Sequence, residues 1–532
     1  MRGTHFIRRL ACAVACLAGV ASAAVLRRPL ERVASMDPLR ASAIYDSRAV
    51  SLVYEPLLEV DYFARPYRLK AGLCDLPTVS ADGLVYTFRL RAGARFQPDA
   101  CFGGGGRDVV AADVVYSLNR LADKANASSG MWTMDGVAKV EAVDTRTVAI
   151  TLKKRLHVFP WLMAMAYAAV VPHEAVEMYG AKFGGVAVGS GPYRLTEWWR
   201  NHRMVFDRDP TWRGWPAIPT TPYDRIEYLV VDDVSTQWLM FLSGEVDLLG
   251  AVSHDNWDAI VNADGRLDAA LEARGVRLLG ASTMTVMYIG VNMDHKLLGA
   301  NRKLRQALNC AFDFPAWQRF LNNRVLPCNG PLPPGVDGRL ETPFAYAFNL
   351  EKAKRLVAEA GFPDGIDPAT GRRLVIEISL GRATQAAREQ VELMQSFYNK
   401  IGISLEARYM TWDAYLKAVN DGRVELFMLG WVGDYPDAEN FLQMFISKNV
   451  SPGANHSNYR NPEIDRLYDA ALAAPDAASR NAAWRKIQEI VNEDCPWIYL
   501  HYPKEYALAW ERVGNFHLTD FPYGSEKHLF RK

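Results

Sequence analysis

The chain has 532 residues, of which 49% are hydrophobic, 23% charged and 11% aromatic, and its formal net charge is +1. This is globular composition, long enough for about two to four domains. The absence of a basic stripe interleaved with aromatics argues against a nucleic-acid partner, and after the amino-terminal segment no run approaches the ~18 apolar residues of a membrane helix, so a soluble mature chain is expected.

Residues 1–23 read as a removable secretory signal. Arg2, Arg8 and Arg9 supply the positive region, Leu10 to Val20 the short apolar run, and Ala21-Ser22-Ala23 the small-residue cleavage site. The alternative is a buried first helix. Export implies a periplasmic protein. A lipid-anchored form through Cys16 is the lesser reading, because Ala13-Val14-Ala15 makes a poor lipobox. Five cysteines follow the signal, in disulfide-permissive surroundings. Local pairing would join Cys74 to Cys101 and Cys310 to Cys328 and leave Cys495 over; five buried thiols are the alternative.

From about 45 to 200 the text is rich in short alternating runs. Val85–Leu90 and Thr147–Leu152 read as strands, and Ala112–Leu121 has helical spacing. Phe102–Arg107 is a glycine-rich loop with no Lys-Ser/Thr after it, so it is no phosphate loop. Between 345 and 430 strands alternate with helices. A helix capped by Asn349 and stopped at Gly361 precedes a strand at Leu374–Leu380. A helix over 385–400 closes at Gly402 and leads into a strand at Ile403–Ala407. A helix at Trp412–Asn420 and a strand at Leu426–Leu429 complete the series. Such alternation predicts parallel βαβ units, whose ligands sit beyond the carboxyl ends of the strands. Gly430 to Asp437 (GWVGDYPD) lies at one such end and Arg382 at another. Past Tyr459 the text is mostly helical, then strand-like around Pro496–Leu500.

No active centre emerges. His173-Glu174 begins a zinc-helix pattern, but Glu177 stands where the second His must be. Gly189-Ser190-Gly191 lacks the spacing of a nucleophile elbow, and no Ser/His/Asp grouping can be nominated. No metal or cofactor set is found. A large exported chain of this kind points to binding.

Several stretches together resemble the family 5 extracytoplasmic solute-binding proteins of ABC importers, the dipeptide- and oligopeptide-binding group. They are Met36-Asp37-Pro38; Val53 to Leu58; Ala112 to Leu118 (the D-V-x-x-S-x-x-R helix); Val188 to Leu195 (G-S-G-P-Y); Leu242 to Asp247 (G-E-x-D); Tyr288 to Asn292; Leu304 to Asn309 (R-Q-A-L); and Asn329 to Pro334 (G-P-x-P-P). The resemblance implies an α/β, two-lobed periplasmic binding protein fold of type II, the large peptide-binding class, with an extra subdomain in lobe one. It places lobe one at 24–69, 184–275 and 491–532, the subdomain at 70–183 and lobe two at 276–490. It implies a monomer that captures peptides between the lobes and delivers them to a membrane ABC permease. The same fold carrying another solute (an oligosaccharide, metal chelate, opine or haem) and an exported hydrolase are the alternatives.

On this resemblance Asp434 would hold a peptide's α-ammonium, with Gly433 beside it and Trp431 and Tyr435 walling off water. Arg382 would take a carboxylate, although Gly381-Arg382-Ala383-Thr384 departs from the dipeptide-binding pattern. Trp412, Tyr45 and Asn455 are further candidates for the cleft. Asp437 reads as a helix cap instead.

Overall fold

In a computed structural model the described residues are 23–532, apart from 31, 42, 216–221, 251, 253, 263–264 and 475. The export signal, except Ala23, and Cys16 therefore lie outside the described residues.

The alternation between 345 and 430 produces the expected units. Asn349 accepts the Lys352 N–H at 2.9 Å and starts the helix Leu350–Glu359, which ends at Gly361 with φ +95°. Strand Val375–Leu380 pairs in parallel with Ser404–Tyr409 on one side and Leu426–Val432 on the other. Helices Gln385–Asn399 and Trp412–Asn420 make the crossovers. The boundaries shift by at most two residues at the other elements and by three at the last strand. The last strand continues past Leu429 to Val432, because Thr285–Val291 pairs along it as far as Thr285↔Val432.

A long strand, Trp497–Trp510, extends this sheet. Its first part pairs with Thr285–Val291 and its second with Val276–Ser282, with a register shift between Met287 and Tyr288. A second sheet has the order Val25–Leu30, Arg225–Val230, Arg203–Arg208, Tyr193–Trp199, and a third the order Thr78–Val79, Val85–Arg89, Thr147–Leu152, Val137–Ala142. Each sheet has its own apolar layer. Ile376, Ile378, Val391 and Phe397 pack at the βαβ units, Leu26, Phe206 and Ile226 at the second sheet, and Phe88, Val114, Leu118 and Ile150 at the third. Each large side chain so buried contributes roughly 1.5–3 kcal/mol.

The motif residues fasten distant segments. Asp37 receives a two-pronged ion pair from Arg120 at 2.8 and 2.7 Å, and Glu55 one from Arg213 at 2.8 and 2.9 Å. Buried Arg305 donates to the carbonyls of Leu298, Gly299 and Asp494. Gly189 and Gly191 lie against the end of helix Ile44–Val53. A Cβ at Gly189 would stand 2.0 Å from the Val53 carbonyl oxygen, so only glycine admits this approach.

The expected disulfides are not formed: Cys74, Cys101, Cys310, Cys328 and Cys495 are all free thiols. Sequence proximity misled the pairing. Cys74 is sealed in the apolar layer of the third sheet, while Cys101 packs against that of the second. Cys310 lies in the βαβ core and Cys328 against the neighbouring one. Each expected pair is split between two cores.

Candidate functional site: a cavity beyond the sheet ends

A cavity of about 820 Å³ opens where these parts meet, within the range of small-molecule sites. Helix Ile44–Val53 contributes Tyr45, Ser47 and Arg48. The short helical turns Phe159–Leu162 and Ala166–Ala168 contribute Trp161 and Tyr167. The end of strand Leu426–Val432 brings Val432, Gly433 and Asp434, the long strand brings Glu505 and Ala507, and the segment 516–525 closes the far side.

The turn into Asp434 is set by its neighbours. The Gly433 N–H donates to the Met284 carbonyl at 2.7 Å, and a Cβ on residue 433 would lie 2.7 Å from the Phe441 ring, so glycine is required there. Asn440, which is 1% exposed, then organises the site. Its Oδ1 accepts from the Asp434 N–H at 3.1 Å and from Trp431 Nε1 at 3.0 Å, and its Nδ2 donates to Asp434 Oδ2 at 3.1 Å. The Asp434 side chain is open to the cavity but closely surrounded by protein. Burial pushes its pKa up, against the hydrogen bond from Asn440. No described cation pairs with it.

The other charges on the wall are unevenly matched. Arg28 is paired with buried Glu526 at 2.8 Å, and Tyr228 donates to the same oxygen. Asp520 accepts from Tyr67 Oη and from the Met284 N–H, both at 2.8 Å. Burial raises both Asp520 and Glu505. Tyr523 is pushed up to about 12, chiefly by burial; the charges of Arg48 and Asp434 act on it in opposite directions. Next to this segment, Lys527 pairs with Glu59 at 2.6 Å. Burial pushes Glu59 up, but Lys527 and Lys70 outweigh it and hold the carboxyl down to about 2.

Of the residues singled out in the sequence, Tyr45, Gly433 and Asp434 meet on the cavity wall. Trp431 and Tyr435 do not line it. Because the strand runs on through Val432, alternation turns Val432 into the cavity and Trp431 to the opposite face. Tyr435 is 5% exposed and packs into the apolar layer of the third sheet, donating to Glu439. Asn455 is fully buried. Its amide donates to the carbonyls of Ile446 and Tyr459 and its oxygen accepts the Tyr459 N–H, so it staples a loop away from the cavity. Arg382 is exposed and Trp412 is 54% exposed, its ring packed beside Tyr415; neither lines the cavity. Asp437 caps the helix Ala438–Leu442, as expected, accepting the Glu439 N–H at 2.9 Å. Asp113, His173 and Glu174 come within metal-ligand spacing, but Arg107 already bridges both carboxylates at 2.7 and 2.6 Å.

Sequence reasoning missed Arg48, Asn440, Tyr167 and Tyr523. The segment around Tyr523 carried the one available signal, a loop dense in aromatics (Phe516, Phe521, Tyr523) near the chain end.

A cavity beyond the sheet ends, lined by charged and aromatic side chains, is the arrangement of a ligand-binding protein. The chain belongs to the bacterial extracellular solute-binding proteins, family 5: residues 68–453 match the family described as "Bacterial extracellular solute-binding proteins, family 5 Middle". It is 28% identical to the glutathione-binding protein GsiB of Escherichia coli O1:K1 / APEC over 477 residues, 88% of this chain and 86% of that one. It is 28% identical to heme-binding protein A of Haemophilus influenzae over 473 residues, 86% and 83% of the two chains. HbpA2 from Haemophilus parasuis superposes with a TM-score of 0.84 at 25% identity, over 96% of this chain and 100% of that one. The protein is thus a solute-binding component of the ABC-importer type and acts outside the cytoplasm. Among the described residues no helix is long and apolar enough to cross a membrane.

Proposed function

We propose that this protein captures peptides, from dipeptides to oligopeptides, in the cavity at Asp434 and delivers them as a monomer to a membrane ABC permease. The observation that carries this reading is an aspartate exposed on the cavity wall that no described cation partners. Closure over a ligand would take this carboxylate out of bulk water, which needs a cation to offset its desolvation, and a peptide's α-ammonium supplies one. Trp161, Tyr167, Phe521 and Tyr523 offer aromatic faces to side chains without selecting among them. The E. coli relative, named for binding glutathione, supports a ligand of peptide type. The Haemophilus influenzae relative, named for heme, supports the second reading, the same fold filled by a different solute.

In this account lobe one comprises 24–69, 184–275 and 491–532 with the subdomain 70–183, and lobe two is 276–490. On these bounds the chain passes between the lobes at about 275 and again at about 490, and those crossings act as the hinge. Closure buries the ligand, and the closed form is the one the permease reads. The mature chain begins after the signal at 1–23 and works in the periplasm.

Native mass spectrometry of the gently purified mature chain tests the class. A ladder of adducts resolving into short peptides is the expected result. A single non-peptide adduct would replace the peptide reading with another solute.

A further inference from the structure

The cavity wall carries two guanidinium groups, and only one is matched. Arg28 donates to Glu526. Arg48, on helix Ile44–Val53, has no hydrogen bond and no ion pair to any described residue, and its Nε is sealed from solvent without an acceptor. The residue lines the cavity, so its terminal nitrogens are what it can offer. Arg48 and Asp434 line the same cavity from different elements, one from the amino-terminal helix and one from the end of the βαβ sheet, with Tyr523 within electrostatic reach of both.

We infer that Arg48 receives a carboxylate of the ligand while Asp434 holds its ammonium. The inference rests on the peptide reading above and narrows it. The preferred ligand is a short free peptide with both ends inside the cavity, rather than a long one running out of it. The chemistry suits the residue, since a planar guanidinium pairs with a carboxylate through two parallel hydrogen bonds. It also removes a cost. Burial lowers the Arg48 pKa to about 10 and the Arg28 charge adds to this, only partly offset by Glu526, so the empty site holds a poorly compensated cation. The competing role for Arg48 is structural. Glu526 Oε2 is also buried without a partner, and a different Arg48 rotamer could serve it.

Calorimetric titration of the mature chain with alanine di-, tri- and tetrapeptides separates these roles. Each peptide is used free, N-acetylated and as its C-terminal amide. The amide of the best-bound length should bind about 30-fold more weakly or worse than the free peptide, the effect of stranding one member of a buried charge pair. In Arg48→Gln that preference should fall close to unity, and Arg48→Lys should keep part of it. Ala-Ala-Asp amide, whose carboxylate sits on a side chain, shows whether a terminal or a side-chain carboxylate is accepted; recovery of affinity supports the same anion site. Equal binding of free and amidated peptide by the unaltered chain, a comparison that needs no variant, would overturn the role of Arg48. A preference that survives in Arg48→Gln would do the same and leave the residue to Glu526. The acetylated series reads Asp434 alone. Weak acetyl binding beside unimpaired amide binding would therefore overturn this inference and leave the proposed function standing. If no peptide binds in any form, both fall.

Discussion

His157 Nε2 stands 3.0 Å from Asp437 Oδ2, a contact between residues far apart in the chain that ties the loop after the third sheet to the segment carrying Asp434. Tyr435 reinforces it by packing into that sheet's apolar layer. Burial pushes the Asp437 carboxyl up, but the His157 hydrogen bond and charge and the Glu439 N–H outweigh it, and the pKa falls below its ordinary value of 3.8. A depressed carboxyl contributes stability above that ordinary value and loses it as pH falls through the folded-state value. Asp437→Asn should therefore cost roughly 1–3 kcal/mol near neutral pH, and the deficit should shrink under acid. Denaturant unfolding at the two pH values checks this; a deficit independent of pH would mean that the cap, not the ion pair, is what matters.

Asn440 concentrates three hydrogen bonds on one buried amide. Asn440→Ala would strand the Asp434 N–H and Trp431 Nε1 and free the carboxylate to rotate. We expect a loss of roughly 1–3 kcal/mol in stability and a further loss in ligand affinity. Thermal unfolding with and without ligand separates the two. A variant that loses stability but binds normally would show that Asn440 does not position Asp434.

The raised Asp434 pKa has the opposite sign from that of Asp437. The folded protein holds this proton more tightly than the unfolded chain does. The unliganded protein thus carries a penalty at neutral pH that is relieved as pH falls towards the ordinary value of 3.8. Asp434→Asn should be more stable than the unaltered chain near neutral pH when empty, and the advantage should vanish in acid. An ammonium-bearing ligand should reverse the order. Paired melting curves across pH, empty and loaded, measure both effects.

Much of the fold was legible in the sequence, because hydrophobic period and capping act locally. Asn349, Gly361 and the βαβ alternation needed only their neighbours. Asp437 as a cap was legible for the same reason. The motifs were legible as text but not in their work: Asp37 and Arg120, or Glu55 and Arg213, show their purpose only once folding brings them together. Trp431 falls off the cavity wall because three further residues of strand reverse which side chain faces it, and strand ends depend on the partner, here Thr285–Val291; Tyr435 falls off it because it packs into the third sheet's apolar layer. Asn455 lies buried away from the cavity, and a buried amide and a ligand-facing amide look alike in sequence. Arg48 gave no signal, since a cation's lack of a partner is a property of the folded chain.

The central claim is that Asp434 holds the ammonium of a captured peptide. It is tested most directly by titrating the mature chain and Asp434→Ala, by calorimetry, with one bound peptide in free and N-acetylated form. The account predicts that acetylation weakens binding to the unaltered chain, that Asp434→Ala loses roughly 2–5 kcal/mol for the free peptide, and that the variant no longer distinguishes the two forms. Equal affinity of the unaltered chain for free and blocked peptide would contradict it.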